Sequence, residues 1–113
     1  MQKIEAYIRP NRLEQVRQAL AGANITGISI TDIDGFGDLK GRADQMFRGQ
    51  EYTVAFRRIV KLEIFCYDDR VEDIIKAISD GARTGELGDG KIFVYPITWA
   101  YRIRTGETDE EAI

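Results

Sequence analysis

Apolar residues alternate with polar ones in two short segments of this chain, and a stripe of apolar residues at helical spacing follows each segment. In residues 3–8, Ile4, Ala6 and Ile8 fall on one side, which is the period of a strand with one covered face. Residues 59–66 repeat this alternation. Strands of this kind need a second layer to cover their apolar side, and the two helical stripes predict that layer.

Two amphipathic helices are therefore predicted. The first begins at Asn11, a favourable N-cap residue, and continues to about residue 22, where Gly22 favours an end. The second follows Asp68 and Asp69, whose negative charge suits the positive end of the helix dipole, and it ends near Gly81. Each predicted helix lies between two extended segments.

Further extended segments complete the pattern. Residues 25–33 are rich in β-branched side chains and predict a strand that closes at residues 35–37, while Ile92 and Val94 predict a fourth strand. In a last extended segment, residues 97–104, apolar residues alternate with arginines. The order β-α-β, β-α-β predicts an α+β fold, the ferredoxin-like split βαβ (βαββαβ) sandwich, with a long loop between strands 2 and 3.

The sheet face away from the helices is predicted to leave Tyr7 and Phe65 uncovered. Exposed apolar faces usually mark an interface. A chain of 113 residues is also small, and folding buries only about 65% of the surface of a chain this size. We therefore expect subunits to pack on this face.

The long loop, about residues 37–55, is the clearest signal of function in the sequence. Glycines interrupt a polar, charged run that has no sustained helical or strand period. Compact domains rarely keep unstructured connections beyond about 12–15 residues unless these are functional or disordered. Tyr52 on this loop either packs against the loop or a neighbour, or is reached by partners and modifying enzymes.

The composition excludes several classes of protein. The chain has no histidine and a single cysteine, Cys66, so a disulfide framework, ordinary zinc sites and Ser-His-Asp chemistry lack their residues. No apolar run approaches the roughly 20 residues that span a bilayer, and the N-terminus lacks a signal-peptide core. The formal net charge of -3 gives no electrostatic reason to bind nucleic acid. We expect one cytoplasmic domain, residues 1–113, without membrane insertion and with Cys66 buried.

Residues 85–91 match the G-x-x-x-x-G-K pattern of a phosphate loop in composition but not in context. The segment follows a helix and opens a strand, and Ile92 stands where a true P-loop has Ser or Thr, so a P-loop NTPase is not expected. The glycines still allow backbone N–H groups to face one point as an anion nest, beside the charge of Lys91. The alternative is a plain helix-to-strand turn.

Arg102 and Arg104 favour the anion-binding alternative. In an extended segment they point to the same side, as recognition of a planar phosphate requires. Together with Arg83, Lys91 and the glycine nest, they predict a small polyanionic ligand. No catalytic base or nucleophile accompanies them, so the chain is not expected to be an enzyme.

Along nearly its whole length the chain resembles the PII signal-transduction family. The matching stretches are Lys3–Ala6 with Ile8 and Pro10, Gly35–Gly37, Arg48–Gly49 with Glu51–Tyr52, Arg83–Gly85, Gly88–Val94 and Arg102–Glu107. The resemblance implies a homotrimer with an adenine nucleotide (ATP, ADP or AMP) in each cleft between neighbouring subunits. It also implies that the long loop, called the T-loop in the family, changes conformation with the ligand and docks on a target membrane transporter or metabolic enzyme.

The resemblance also assigns site residues by position. The phosphates would meet the family's B-loop, about residues 82–91 and called the glycine loop below, through Thr84, Gly88, Asp89, Gly90 and Lys91. A C-terminal loop, about residues 102–113, would add Arg102 and Arg104. The base and ribose would be lined by Gly27, Ile28, Ser29, Glu63, Ile64 and Phe65. Gly35, Gly37 and Asp38 would join the nucleotide site from the base of the long loop, and Lys40, Arg48 and Tyr52 would meet partners or modifying enzymes.

Departures from the family pattern concern its phosphate and effector contacts. Typical members read Gly-Phe-Gly-Arg-Gln-Lys where this chain has Gly-Phe-Gly-Asp-Leu-Lys. Asp38 thus replaces a phosphate-holding Arg, and Leu39 replaces the Gln that reaches magnesium and 2-oxoglutarate. Ile59 stands where the family has the Lys that meets the 2-oxoglutarate carboxylate, in a loop one residue longer than usual. Arg58 can stand in for that Lys only if the chain slips by one residue.

The leading hypothesis is a PII-like regulatory trimer that senses adenine nucleotides and has lost the response to 2-oxoglutarate. Asp38 near the phosphates favours ADP or AMP over ATP. Bicarbonate is a candidate second ligand, linked to inorganic carbon metabolism, and a role for magnesium stays open. The alternative is a conventional nitrogen-regulatory PII protein that binds ATP and 2-oxoglutarate. A hydrolase that uses the nucleotide cleft is disfavoured, because no positioned base accompanies the cleft.

Overall fold

An antiparallel sheet of long strands is the frame of the molecule. The structure is a computed structural model that describes residues 1–38, 46–47, 50–51 and 54–113, and it describes side chains outside residues 36–56. Its strands are β1 (Gln2–Ile8), β2 (Ile28–Asp38), β3 (Met46–Phe47), β4 (Gln50–Glu51), β5 (Val54–Cys66) and β6 (Lys91–Pro96). The main sheet has the order β2-β5-β1-β6 with every neighbouring pair antiparallel, and β3 pairs with β4.

Two helices cover one face of this sheet, α1 (Leu13–Gly22) and α2 (Val71–Ala82). With the strand order, they confirm the predicted ferredoxin-like α+β fold. The core between the layers contains alternate residues of β1 and β5, as predicted, and apolar positions of both helices: Ile4, Ala6, Ile8, Val60, Leu62, Ile64, Cys66, Val16, Leu20, Ile74, Ala77, Ile78 and Ala82. The helices approach closely at Gly81, because a Cβ there would lie 2.7 Å from the Cα of Val16. Burial of Cys66 is confirmed, and it raises the pKa of the thiol.

The start of α1 differs from the prediction. Asn11 is not its N-cap, because it lies inside a 3-10 turn, Pro10–Arg12, and Arg12 precedes the helix without a side-chain capping bond. The fixed φ of Pro10 suits the first position of a helical turn, so the chain turns before Asn11 can cap it. None of the helices in the described part of the chain is long and apolar enough to cross a membrane.

The hairpin formed by β2 and β5 is longer than the sequence predicts. Pairing is continuous from Ile28↔Ile64 to Asp38↔Val54, whereas β1 pairs with β5 only as far as Val60. Residues 54–59 therefore form a two-stranded ribbon with β2 beyond the main sheet. Backbone pairing needs no buried side chains, so this part of the strands lacks the apolar alternation that a sequence pattern can detect.

The predicted extended segment at residues 97–104 does not continue to Arg104. The chain makes a turn at residues 103–105, where the N–H of Gly106 donates to the carbonyl of Arg102 at 2.8 Å. Tyr101 then bridges to Thr108. The alternation of apolar residues here does not mark a covered face, because Trp99, Tyr101 and Ile103 are 62%, 54% and 92% exposed.

Candidate functional site

The glycine loop connects α2 to β6 and is held tightly against β1. Gly85, Gly88 and Gly90 all have positive φ, at 88°, 97° and 106°. A Cβ at Gly90 would lie 1.7 Å from the carbonyl oxygen of Tyr7, so only glycine fits this contact. The backbone of the loop therefore has a defined position relative to the sheet.

Asp89 organises this loop as an internal anion. Its Oδ2 accepts hydrogen bonds from the N–H groups of Thr84 and Gly85, each at 2.9 Å, and its Oδ1 accepts from the Thr84 hydroxyl and from Arg9 Nε, the latter at 3.2 Å. The hydrogen bonds from Thr84, together with those from Gly85 and Arg9, hold the pKa of Asp89 well below its usual value. The anion nest that the sequence predicts is thus filled, at residues 84–85, by the protein's own carboxylate.

A cavity of about 260 Å³ lies beside the loop, between the end of α2 and the start of β6. Its lining includes Arg83, Asp89, Gly90 and Lys91 together with Tyr7, Ile8, Ile78, Ser79, Ala82 and Ile92. The side chains of Arg83 and Lys91 are exposed and form no ion pair with the described part of the chain. Two cationic groups are therefore available to a ligand next to the glycine loop.

The residues predicted to line a base and ribose lie together at the opposite side of the sheet. Ile28 pairs with Ile64 and Ser29 pairs with Glu63 in the β2–β5 ladder. Gly27, Ile64 and Phe65 line a second cavity of about 340 Å³, with Asn24, Ile25, Thr26, Cys66, Tyr67, Arg70, Ile74 and Ile113. Three of the six predicted residues thus line this cavity, whereas Ile28, Ser29 and Glu63 do not.

Within one chain, the structure does not bring the glycine loop, predicted to hold the phosphates, next to the residues predicted to line the base and ribose. β2 and β6 are the opposite edges of the main sheet. Three strand spacings separate them, which is about 14 Å. The cavity beside the glycine loop and the cavity beside Gly27 share no lining residue.

Arg102 and Arg104 are not aligned on one side of a strand, because the strand itself is absent. The guanidinium of Arg102 forms an ion pair with Glu107, with 3.3 Å between Nη1 and Oε1. Arg104 lies exposed in the turn at residues 103–105. Strand periodicity therefore gives no support to their role, which continues to depend on the family resemblance.

Arg58 and Ile59 are neighbours on β5 at the base of the long loop. β2 and β5 pair without a bulge, with Ile33 opposite Ile59 and Asp34 opposite Arg58. The slip that would let Arg58 stand in for the family lysine is defined relative to other family members, and it stays a prediction. The side chain of Arg58 leaves the opposite face from Ile59. Ile59 packs over Gly35, since a Cβ at Gly35 would lie 2.6 Å from Ile59 Cδ1.

The residues predicted at the long loop fall into two groups, those that the structure describes and those that it does not. Gly35, Gly37 and Asp38 belong to β2, Asp38 by its backbone only. Leu39, Lys40, Arg48 and Tyr52 lie outside the described residues.

The open face of the sheet leaves Phe65, Phe93 and Tyr95 exposed, in line with the expected uncovered face, and it also has an ion-pair cluster at its centre that was not expected. Lys3 Nζ lies 3.0 Å from Glu5 Oε2 and 2.9 Å from Glu63 Oε2. Glu5 is only 7% exposed and accepts a hydrogen bond from the Tyr7 hydroxyl, which raises the pKa of Tyr7 to about 12. Phe65 is exposed as predicted. Alternation gives the face of each residue, but it cannot show that opposite charges meet across strands.

Sequence reasoning missed two arginines that hold the glycine loop. Arg9 Nη2 donates to the carbonyl of Leu87, and Arg57 Nη2 donates to the carbonyl of Gly88 at 3.0 Å. Arg9 is 80 positions from Asp89 along the chain, so no local pattern joins them. In the described residues, no group of three or more acidic or cysteine side chains is placed to hold a metal ion.

The fold and this loop define a class of protein, a small ferredoxin-like domain that presents a cationic glycine loop at one edge of its sheet. The chain belongs to the PII family, because the family model for nitrogen regulatory protein P-II matches residues 1–107. The predicted family is therefore confirmed.

Curated relatives match the whole chain. A nitrogen regulatory protein P-II of Haemophilus influenzae is 50% identical over 113 residues, one of Pasteurella multocida is 49% identical, and nitrogen regulatory protein P-II 1 of Escherichia coli is 48% identical; each match covers 100% of both chains. Among solved structures, Arabidopsis thaliana PII bound to citrate superposes with a TM-score of 0.79 at 43% identity, covering 99% of this chain and 91% of that one.

Proposed function

We propose that this chain is a trimeric regulator that senses adenine nucleotides in the clefts between subunits and acts on a target transporter or enzyme through its long loop. One observation carries the proposal: the glycine loop and the residues around Gly27 lie at opposite edges of one sheet. A ligand that needs both halves must take one from each of two subunits. Contact between two different edges is heterologous, and repetition of such a contact closes a ring.

In this proposal the glycine loop holds the phosphates. Arg83 and Lys91 supply exposed positive charge beside the cavity, and charge-assisted contacts to phosphate are among the stronger polar interactions. The neighbouring subunit supplies the base half, with Gly27 to Ser29 and Glu63 to Phe65, and brings Arg102 and Arg104 to the phosphates. Membership of the PII family supports an adenine nucleotide as the ligand and a trimer as the assembly.

We further propose that 2-oxoglutarate has lost its effect on this protein. The aliphatic side chain of Ile59 lies against Gly35 where the family lysine would meet the effector. Leu39 offers no polar atom in place of the family glutamine. Asp38 adds negative charge beside the phosphates, which favours ADP or AMP over ATP. Bicarbonate, from inorganic carbon metabolism, is the second ligand we propose in place of 2-oxoglutarate.

A conventional nitrogen-regulatory function is the second candidate. The names of relatives at 48–50% identity favour it. The two candidates differ in one measurable quantity, the coupling free energy between ATP and 2-oxoglutarate, which is nonzero only if each ligand favours the bound state of the other.

Calorimetry separates the candidates. ATP, ADP and AMP are titrated with saturating magnesium, each with and without 2-oxoglutarate or bicarbonate. We expect ADP and AMP to bind at least as tightly as ATP, and 2-oxoglutarate to change the ATP affinity by less than about twofold. An increase of about tenfold or more would restore the nitrogen-sensor function.

Light scattering tests the assembly. We expect a mass of about three times the 12.8 kDa subunit at micromolar concentration. A monomer that still binds nucleotide would contradict the cleft between subunits, because one chain keeps the two halves at opposite edges of its sheet.

A further inference from the structure

We propose that Arg57 is a positioning residue that ties the base of the β2–β5 hairpin to the glycine loop and sets the direction of the loop's N–H groups. Its Nη2 donates a hydrogen bond of 3.0 Å to the carbonyl oxygen of Gly88. The inference depends on the proposed function in one respect, namely that the glycine loop is the phosphate half of the site. The contact itself is a property of the chain without any ligand.

The planarity of the peptide bond makes this contact informative. The Gly88–Asp89 peptide is trans, so its carbonyl and its N–H point in opposite directions. When Arg57 holds the carbonyl of Gly88, the N–H of Asp89 is directed away from Arg57. Arg9 does the same for the preceding peptide, because it holds the carbonyl of Leu87 and so directs the N–H of Gly88.

The backbone angles of the loop fit an anion nest. Gly88 and Gly90 have positive φ, and Asp89 between them does not. Alternation of φ sign along consecutive residues turns their N–H groups toward a common point. Asp89 already accepts the hydrogen bonds of the N–H groups at residues 84–85. The N–H groups from Gly88 onward are therefore the part of the nest left for an external anion.

Strand geometry explains why Arg57, and not Arg58, makes this contact. Side chains alternate between the faces of a strand, so Arg57 leaves the same face of β5 as Ile59, and Arg58 leaves the other. The partner of Arg57 across the ladder is Gly35, which has no side chain to crowd the arginine stem. Arg57 thus reaches the glycine loop from the same face of β5 as Ile59, the residue at the position of the family's lysine.

The position of Arg57 gives the contact a consequence for the long loop. Residues 54–59 of β5 pair only with β2 and lead directly into the long loop. A ligand that favours one orientation of the Gly88–Asp89 peptide must also favour one position of Arg57, and therefore of this ribbon. By linkage, if the ligand changes the affinity for a partner that binds the ribbon, that partner must change the affinity of the glycine loop for the ligand by the same factor.

Hydrogen exchange of the ligand-free protein tests the contact directly. Arg57→Leu is compared with Arg58→Leu, a matched change at the neighbouring position on the other strand face. We expect Arg57→Leu to raise exchange of the amides of Thr84 and Gly85, which donate hydrogen bonds to Asp89, by about tenfold, and Arg58→Leu to leave it unchanged. Arg57→Lys should restore part of the protection, because an ammonium can also donate to the carbonyl. Equal exchange in the two leucine variants would overturn the proposal.

A second measurement tests the link to the ligand. ADP should bind Arg57→Leu about tenfold more weakly than it binds wild type or Arg58→Leu. ADP should also slow exchange at residues 54–58 in wild type and not in Arg57→Leu. The same slowing in both proteins would overturn the coupling. If ADP binds none of the three proteins, the proposed function fails, while the exchange of the ligand-free variants still decides whether Arg57 positions the loop.

Discussion

The glycine loop and the C-terminal turn at residues 101–108 are built alike. Each contains a glycine with positive φ close to its turn, Gly88 in the first and Gly106 in the second. In each, a carboxylate accepts a hydrogen bond from a nearby threonine, Asp89 from Thr84 and Glu107 from Thr105. Each element therefore has a carboxylate that is hydrogen-bonded by a threonine of the same loop.

The two elements differ in how they are joined to the rest of the molecule. Arg9, directly after β1, and Arg57 of β5 donate hydrogen bonds to the glycine loop, and Gly90 lies directly on the backbone of Tyr7. Within the described part of the chain, the hydrogen bonds of the C-terminal turn stay between residues 100 and 109. Local bonds give a turn its shape, whereas tertiary bonds give it a position. The backbone of the glycine loop therefore has a fixed position relative to the sheet, whereas the hydrogen bonds of the C-terminal turn fix only its local shape.

Gly90→Ala should have the largest effect of the substitutions that test this difference. A methyl group there would meet the carbonyl oxygen of Tyr7 and would also require a positive φ. We expect the free energy of unfolding, measured with urea, to fall by at least about 3 kcal/mol.

Gly85→Ala is the matched control for that substitution. Gly85 also has a positive φ, but a Cβ there would meet nothing within 4 Å. It should cost only about 1 kcal/mol, the strain of the backbone conformation. Equal losses in the two variants would show that the loop does not press on β1.

Lys91→Ala and Arg104→Ala should have the next largest effect, seen in ligand binding. Each removes one cation from the proposed phosphate site, so the affinity for ADP should fall by roughly 10- to 150-fold. Tyr52→Ala, a change on the long loop, should leave the affinity nearly unchanged. Calorimetry measures all three. If Arg104→Ala behaves like Tyr52→Ala, the C-terminal turn is not part of the site, and the phosphates depend on the glycine loop alone.

The same comparison shows how far the sequence predicts the fold and the site. The layers were predictable because Ile4, Ala6 and Ile8 alternate with polar residues, and burial imposes that period on a strand. The glycine pattern at residues 85–91 identified the loop, because positive φ favours glycine. The same alternation failed at residues 97–104, where nothing covers Ile103, so an apolar residue there reports no strand face.

What the sequence could not predict is the set of bonds between distant residues. The aspartate of the glycine loop looks like a ligand contact in a motif, yet its carboxylate is satisfied by Thr84 and by Arg9. Arg57 lies two positions from Ile59, and only the unbroken register of β5 shows that both leave one face. Local patterns specify turns and strand faces, whereas these partners become neighbours only after the strands have paired.

Asp89→Asn should have a smaller effect than Gly90→Ala, and it tests whether the internal anion gives the glycine loop its added stability. Asparagine keeps one oxygen acceptor but loses the charge that Thr84, Gly85 and Arg9 hydrogen-bond. We expect the melting temperature at neutral pH to fall by several degrees. Glu107→Gln, the matched change in the C-terminal turn, should lower it less, because the ion pair between Glu107 and Arg102 is partly exposed.

The pH dependence of the Asp89→Asn effect has a definite sign. The pKa of Asp89 is held below its usual value of 3.8 in the folded protein, so the carboxylate contributes stability that is fully present above this value. That contribution is lost as the pH falls further, through the folded pKa. The difference in stability between wild type and Asp89→Asn should therefore be constant from neutral pH down to about pH 5 and then shrink toward pH 2. A difference that stays constant down to pH 2 would mean that Asp89 is not the internal anion of the loop.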